Sequence, residues 1–312
     1  MPAERSHQSV MLAESVDAWL GEAGQKVGAL FVDGTFGCGG HTRELLRRVG
    51  PDARVLAFDK DPHAVAQAMQ IGDSRFSISH GSFCQIEGLP ASSVDGVLLD
   101  LGMSSAQVDD PSRGFSFLRD GPLDGRMDCT SGPTVAQWLV QADAQEIEEV
   151  IHDYGEERFA RPIAKAIATH CRAQGEIRST LELARIVAGV VRTRERGQNP
   201  ATRTFQAFRI HINRELEDLR NALDATLRVL RPGGRLAVLS FHSLEDRIVK
   251  RFIARHSREE VDPRLPPVLA RVVLPLRQLG RMRPSPQEVA GNPRARSAML
   301  RVAQRIPESG KK

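Results

Sequence analysis

A glycine-rich turn follows the first apolar run of this 312-residue sequence, and its residue types could hold a ligand close to the backbone. The segment VDGTFGCGGHT, residues 32–42, contains an aspartate, four glycines and a histidine. Open α/β sheets bind nucleotide-like ligands where a strand ends and such a turn leads into a helix. Glycine lets the backbone come within contact distance of the ligand. The pattern therefore predicts a ligand site that begins at Asp33, where the apolar run ends.

The spacing of the glycines distinguishes between classes of ligand. The dinucleotide pattern G-x-G-x-x-G would need a glycine where Thr42 stands, and the phosphate-binding loop would need a lysine after the glycines. The remaining pattern is a strand-end acid followed by Gly34, Gly37, Gly39 and Gly40. It resembles the first motif of Rossmann-like methyltransferases that bind S-adenosylmethionine. A nicotinamide oxidoreductase is therefore disfavoured.

Two later strand ends offer further contacts for such a cofactor. Asp59 ends the second predicted strand, where these folds place a carboxylate that accepts hydrogen bonds from both ribose hydroxyls. A turn-forming role within DKDP is the alternative for this residue. Phe83 follows the third predicted strand and offers a flat apolar surface for adenine, although an isolated phenylalanine after a strand more often belongs to the core.

The elements that must position these residues alternate between strand-like and helical patterns. Strands are predicted at 28–33, 53–59, 75–80, 94–100 and 234–241, which favours a parallel sheet covered by helices. The gap between Asp100 and Gly234 is too long for one crossover connection. The gap therefore contains an insertion.

The insertion carries helical signals of its own. Two capping boxes, Thr134 with Gln137 and Ser179 with Glu182, precede apolar residues at helical spacing. Residues 108–200 are predicted to form a helical subdomain between the two parts of the main domain, 1–107 and 201–312. After it, one long helix is predicted from Phe205 to Pro232, and a last strand near 298–302.

Composition excludes several classes of protein. The chain is 41% hydrophobic and 26% charged, as in ordinary soluble domains, and it shows no apolar leader or membrane-length apolar run. A cytoplasmic protein without a membrane partner is expected. The four cysteines lack any C-x-x-C pair, which indicates reduced thiols and no metal site. They are Cys38, Cys84, Cys129 and Cys171.

Arginine dominates the basic residues of this chain, whose net charge is +4. Its planar guanidinium suits phosphates and stacks on bases, so clusters of arginine could bind nucleic acid. For any single cluster, a solvated surface is the simpler interpretation. The two clusters are Arg192, Arg194, Arg196 and Arg203, and then Arg281, Arg283, Arg294 and Arg296.

Eight segments, in order, carry a more specific resemblance, which runs from about His7 to Arg305. They resemble the bacterial small-subunit ribosomal RNA cytosine-N4 methyltransferase family, known as RsmH or MraW. The segments are SHQSVMLAE, VDGTFGCGGHT, LLDLGMSSAQ, GFSFLRDGPLDGRMD, YGEERFARPIA, NPATRTFQAFRIHIN, LSFHSLEDRIVKRF and NPRARSAMLR. One departure is Met103, where a smaller apolar residue is expected, and it leaves the polar positions intact.

The resemblance implies a Rossmann-like α/β methyltransferase fold with an inserted helical substrate-recognition domain. It also implies S-adenosylmethionine as the cofactor. The implied substrate is a decoding-centre cytidine of 16S ribosomal RNA in the small ribosomal subunit, at the P site. The implied cofactor contacts, with the strand-end acid included, are Asp33, Gly39, Gly40, His41, Asp59, Phe83, Asp100 and Gln107.

Two groups are candidates for the chemistry itself. Asp100 ends the buried run VLLD on the fourth strand, and it could orient the cofactor, the substrate amine or both. His242, in SFHSLED after the fifth strand, could contact a flipped base together with Phe241 and Ser243. Alternatively, Phe241 belongs to the core and His242 caps the helix that starts at SLED, with Ser243 as the N-cap and Asp246 completing a capping box.

Three matters stay open at this point. The protein could methylate another RNA base, or it could be a ribosomal RNA-binding assembly factor without enzymatic activity. The group that accepts the proton from the cytosine amine is not identified. The oligomeric state is also undetermined, and a homodimer is one option.

Overall fold

The computed structural model describes residues 9–191, 199–258 and 274–307. The helices in this part of the chain are α1 (Leu12–Leu20), α2 (Gly40–Arg48), α3 (Pro62–Ala68), α4 (Ser105–Asp109), α5 (Val135–Gln141), α6 (Ala144–Gly155), α7 (Ala160–Gln174), α8 (Thr180–Val190), α9 (Thr202–Ile212), α10 (Glu215–Val229), α11 (Ser243–Ser257) and α12 (Pro286–Gly291). The strands are β1 (Leu30–Asp33), β2 (Arg54–Asp59), β3 (Phe76–His80), β4 (Val94–Asp100), β5 (Leu230–Ser240), β6 (Leu276–Met282) and β7 (Met299–Arg305).

The chain divides into two compact units, residues 1–102 with 216–312, and residues 103–215. The insertion predicted at 108–200 lies within the second unit, but that unit begins earlier and ends later. Its later end has a packing reason, because α9 belongs to its core through Phe205, Ala207 and Phe208.

All seven strands form one sheet in the first unit, in the order β3-β2-β1-β4-β5-β7-β6. The first five strands run parallel, and β7 lies antiparallel between β5 and β6. Residues 94–99 of β4 are all buried, as expected for a central strand covered on both faces. The predicted α/β fold of the Rossmann-like methyltransferase type is confirmed by this sheet.

Two details of the sheet differ from the sequence prediction. β5 begins at Leu230, directly after α10, so the segment around Pro232 is an irregular start of a strand and not a helix end. β6 was not predicted, because this edge strand buries only Leu276 and therefore shows no apolar alternation. The last strand begins at Met299 and runs on to Arg305, beyond its predicted end.

The long helix predicted after the insertion is wrong, because the helix breaks at Asn213. The buried Asn213 amide donates to the carbonyl oxygens of Gly125 (2.8 Å) and Arg209 (2.9 Å) and accepts from the Met127 N–H (2.7 Å). The next residue, Arg214, has φ +52°. The side-chain bonds that satisfy this buried amide thus end α9 and restart the chain as α10.

Helical capping organises the second unit largely as predicted. Thr134 and Gln137 form a complete reciprocal capping box at the start of α5. Ser179 accepts the Glu182 N–H at the start of α8, but the Glu182 carboxylate accepts the Arg178 N–H instead of closing the box. Apolar side chains from α5 to α9 then form a single core cluster.

Two further properties of the fold bear on function. Among the residues that the structure describes, no helix is long and apolar enough to cross a membrane. All four cysteines lie in described segments, and none of them forms a disulfide.

Candidate active site

The glycine-rich turn is held by the Asp33 carboxylate at the end of β1. This carboxylate is 1% exposed and accepts hydrogen bonds from the Thr35 N–H (3.0 Å) and the Thr42 hydroxyl (2.6 Å). Burial raises the pKa of Asp33, and the Thr42 hydrogen bond opposes that shift. Thr42 therefore has a structural task that the glycine of a dinucleotide site could not perform.

We expect the Thr42→Val variant to lose about 1–3 kcal/mol of unfolding free energy at pH 8, because it leaves a buried carboxylate oxygen without its donor. Urea denaturation measures this loss. Thr226→Val is the matched control, since the buried Thr226 hydroxyl donates to the uncharged carbonyl oxygen of Leu223 and should matter less. Equal losses in the two variants would contradict a special role for Thr42.

Asp59, at the end of β2, fastens the other side of the turn. One of its oxygens accepts the Gly37 N–H (2.7 Å) and the other accepts the Asp61 N–H (2.8 Å). Gly37 and Gly39 have φ of +55° and +74°, which L side chains rarely adopt. Burial raises the pKa of Asp59. Each carboxylate oxygen keeps a further lone pair, so Asp59 can also accept from a ligand hydroxyl.

Phe83 begins a short 3₁₀ turn, Phe83–Gly88, after β3. The preceding residue, Ser82, donates its hydroxyl to Asp218 on α10 (2.6 Å), and Lys60 forms an ion pair with the same carboxylate oxygen (2.6 Å). The half-buried Phe83 ring packs against the cluster that contains Val32. Phe83 thus packs in the core and still exposes part of its ring. The predicted contact with adenine and the core role are therefore compatible.

Asp100 and His41 meet where β4 and the glycine turn come together. The His41 Nδ1 atom lies 3.5 Å from Asp100 Oδ2, and His41 Nε2 lies 3.2 Å from the carbonyl oxygen of Val10. A carbonyl oxygen can only accept, so Nε2 carries the proton and Nδ1 of the neutral ring presents a lone pair to Asp100. Burial lowers the pKa of His41 and so favours the neutral ring.

Asp100 has two properties that mark it as reactive. Its Oδ1 atom is buried without a hydrogen-bond partner among the described residues, while 26% of the side chain remains open. Burial, and to a smaller extent the nearby Glu245 carboxylate, raise the pKa of Asp100 to about 7. The Thr35 hydroxyl accepts the Asp100 N–H (2.6 Å) and fixes the strand end. An acid in this state can exchange a proton at neutral pH.

The start of α11 differs from the predicted capping arrangement. His242 is the N-cap, Ser243 is the first helical residue, and Glu245, not Asp246, completes the capping box. The Glu245 carboxylate, which is 2% exposed, accepts the Phe241 N–H (2.8 Å) and lies 3.0 Å from His242 Nε2. Asp246 instead pairs with Arg301.

The first unit brings together Asp33, Gly39, Gly40, His41, Asp59, Phe83, Asp100 and His242 at the carboxyl ends of its parallel strands. Gln107 lies in the second unit, where its side-chain oxygen accepts the Ser104 N–H in the capping box of α4. Its cofactor contact stays a prediction. Among the described residues, no group of histidines, cysteines and acids could hold a metal ion.

The chain also matches a known protein family. A family model, the MraW methylase family, matches residues 4–306. The chain belongs to the MraW methylase family. It is a methyltransferase, and its methyl donor is S-adenosylmethionine.

Curated members of the MraW family resemble the chain along nearly all of its length. A protein named ribosomal RNA small subunit methyltransferase H, from Delftia acidovorans, is 61% identical over 299 residues, which cover 96% of each chain. A protein of the same name from Variovorax paradoxus is 59% identical over 303 residues, covering 97% of this chain and 98% of that one.

Solved structures of methyltransferases are similar at a greater distance. A SAM-dependent O-methyltransferase from Thermotoga maritima has a TM-score of 0.39 and 14% identity, covering 96% of this chain and 65% of that one. The N-methyltransferase NodS from Bradyrhizobium japonicum has a TM-score of 0.39 and 12% identity, covering 95% and 86%. The strand order given above identifies the fold without them.

The residues of this MraW-family chain fit the methyl donor. The Asp59 carboxylate has lone pairs beyond those used for Gly37 and Asp61, as two ribose hydroxyls require. A side chain at Gly39 would collide with the Phe36 ring, its Cβ lying 2.4 Å from a ring atom, so only glycine fits this position of the turn.

Proposed function

We propose that this MraW-family protein transfers a methyl group from S-adenosylmethionine to the N4 amine of a P-site cytidine in 16S ribosomal RNA of the small subunit. Support comes from relatives about 60% identical that are named ribosomal RNA small subunit methyltransferase H. The second unit, residues 103–215, would recognise the RNA substrate, and a protein with this task would work in the cytoplasm.

The chemistry of the acceptor defines what the protein must provide. The donor supplies an electrophilic methyl group on a sulfonium, whose charge disperses during transfer, so alignment and exclusion of water dominate catalysis. The exocyclic amine of cytosine is conjugated with its ring and is a poor nucleophile. It needs a group that holds one N–H and finally accepts the proton.

One observation carries the assignment of that group: the Asp100 carboxyl group ends β4 beside His41 and keeps 26% of its side chain exposed, although its Oδ1 atom is buried. The pKa of Asp100, raised by burial to about 7, makes it a stronger base than an ordinary aspartate and leaves it largely ionised just above neutral pH. Asp100 thus both orients the amine and takes its proton.

His242 and Phe241 follow the neighbouring strand end and would bracket the cytosine ring. Both residues keep part of their surface exposed. Glu245 accepts both of their backbone N–H groups, at 2.8 Å for Phe241 and 3.3 Å for His242, and so fixes the turn that presents them. Glu245 is a positioning residue, because its own side chain is buried.

Nucleoside mass spectrometry of 16S ribosomal RNA, treated with and without the protein and S-adenosylmethionine, tests the proposal. The expected product is N4-methylcytidine at one site. Methylation at cytosine C5 or at a ribose would favour action on a different acceptor. Binding of both RNA and cofactor without any methylation would favour the assembly-factor alternative.

The raised pKa of Asp100 predicts a pH dependence. A base must be ionised to accept a proton, so the single-turnover rate should rise with pH through about 7 and then level off. An ordinary aspartate would give a flat profile there. Rapid-quench measurements between pH 6 and 8.5, with the cofactor and RNA saturating at each pH, test this, and a flat profile would exclude Asp100 as the base.

The first arginine cluster gives limited support to a role of the insertion in RNA binding. Arg192, Arg194 and Arg196 lie outside the described residues. Arg203 donates to the carbonyl oxygen of Glu156 (2.9 Å), which is a structural contact within the second unit. Their binding to RNA phosphates stays a prediction.

A further inference from the structure

The C-terminal part of the chain returns to the carboxyl ends of the parallel strands, where the active site lies. β7 runs antiparallel to β5, so Met299 pairs with Ser240 at the carboxyl end of β5. β6 runs antiparallel to β7, so Met282 pairs with Leu300. The connection between β6 and β7 therefore crosses that same edge. We call residues 281–298 the arginine rim.

A short segment near the N-terminus links the arginine rim to the site. The Glu288 carboxylate, in α12 of the rim, accepts the Met11 N–H (2.6 Å). The residue before Met11, Val10, lies against His41 through its carbonyl oxygen, and His41 lies against Asp100. The rim is thus connected to the reactive carboxylate through a few direct contacts.

Within the part of the chain that the structure describes, the positive charge of the rim is not neutralised by nearby acids. Arg281, Arg283 and Arg296 are exposed, and within the described ranges none of their guanidinium groups forms an ion pair or hydrogen bond. Glu288 is the single acidic residue of the rim sequence and already binds the Met11 N–H.

The acids on the neighbouring helix α11 are also engaged. Glu245 is buried beside His242, and Asp246 forms two hydrogen bonds with Arg301, at 2.6 and 3.0 Å. Neither carboxylate is available to pair with the rim. Among the described residues, the three guanidinium groups therefore have no anion to pair with.

We propose that the arginine rim binds phosphates of the RNA strand on either side of the target base, an inference that rests on the proposed function. Arginine presents a planar set of donors that matches phosphate oxygens. S-adenosylmethionine offers a single carboxylate, whereas an RNA strand carries a phosphate on each nucleotide, so the substrate is the anion that matches three arginines. Phosphate contacts fix the register of the strand, while the site itself selects the base.

The test is the salt dependence of RNA binding by the Arg283→Gln/Arg296→Gln variant. Fluorescence anisotropy with a labelled single-stranded RNA containing the target sequence gives the dissociation constant between 50 and 300 mM KCl. Each lost phosphate contact should reduce the slope of log K against log salt by about 0.7. Affinity for S-adenosylmethionine, measured by calorimetry, should remain that of the wild type.

The matched control is Arg54→Gln/Arg277→Gln, which removes the same charge at the strand ends that lie away from the active site. Arg54 begins β2, and Arg277 pairs with Gln304 near the far end of β7. This control should keep the wild-type slope. An unchanged slope in the rim variant, or equal changes in both variants, would overturn the inference.

The outcome also separates this inference from the proposed function. A wild-type protein that neither binds nor methylates the RNA would refute the proposed function. If the wild-type protein does both and the rim variant keeps the wild-type salt slope, only the phosphate binding by the arginine rim is refuted. If the double variant loses cofactor affinity, Arg296→Gln alone applies the same test with one contact removed.

Discussion

The Asp100→Asn variant is expected to methylate RNA about 10²–10⁴-fold more slowly than the wild type in a single turnover at saturating cofactor and RNA. Asparagine keeps the size of the side chain and one acceptor oxygen, and its amide can donate to the lone pair of His41 Nδ1. It cannot take a proton from the amine. The loss should therefore appear in the chemical step.

Stability distinguishes this catalytic loss from damage to the fold. The pKa of Asp100 is raised in the folded protein, so its ionised form opposes folding at pH values above the unfolded pKa. At pH 8 the Asp100→Asn variant should be at least as stable as the wild type. Thermal unfolding at pH 8 measures this, and a lower melting temperature would point to a structural role.

Asp95→Asn is the matched control for Asp100→Asn, because Asp95 lies near the other end of the same strand. Its carboxylate binds Lys26 (2.6 Å), Arg231 and the Leu30 N–H (2.9 Å). The control should lose stability and keep its single-turnover rate. If Asp100→Asn methylates at the wild-type rate, Asp100 has at most a binding role, which a raised KM for the cofactor would reveal.

The Asp59→Ala variant is expected to bind S-adenosylmethionine about ten- to a hundredfold more weakly. Hydrogen bonds to a charged carboxylate contribute about 1.5–3 kcal/mol, which corresponds to this range of affinity. The variant also removes the acceptor for the Gly37 N–H and so loosens the turn that faces the cofactor. Isothermal titration calorimetry measures the change in the dissociation constant.

Asp73→Ala serves as the control for Asp59→Ala. Asp73 precedes β3 at the opposite edge of the sheet, and its hydrogen bonds with Arg75 lower the pKa of its carboxyl group to about 2. Its removal should leave cofactor affinity unchanged. An unchanged dissociation constant in Asp59→Ala as well would reduce Asp59 to the turn-forming residue that DKDP allows.

Local sequence patterns predicted the parallel part of the sheet and three of its acids. Asp33, Asp59 and Asp100 each end an apolar run, and the chain turns immediately after them. The positions of such residues can be predicted because the apolar run and the strand end that it produces involve only residues adjacent in sequence.

The missed features depend on distant partners or on weak local signals. His41 meets Asp100 across a long stretch of sequence, and the break at Asn213 exists because Gly125 and Met127 supply its partners. Glu245 was overlooked because Ser243 and Asp246 in the same segment look like better capping residues. These contacts cannot be predicted from the residue pattern of any single helix or strand.

The position of the insertion between β4 and β5 has a consequence for synthesis of the chain. β4 pairs with β1 on one side and with β5 on the other, yet residues 101–229 separate it from β5. The growing chain therefore completes four strands and then the whole insertion before the partner on that side exists. Unpaired apolar strand edges are the sites from which nascent chains aggregate. During synthesis, β4 therefore has one unpaired edge until β5 is made, and this edge at the centre of the sheet must be kept from aggregating for that time.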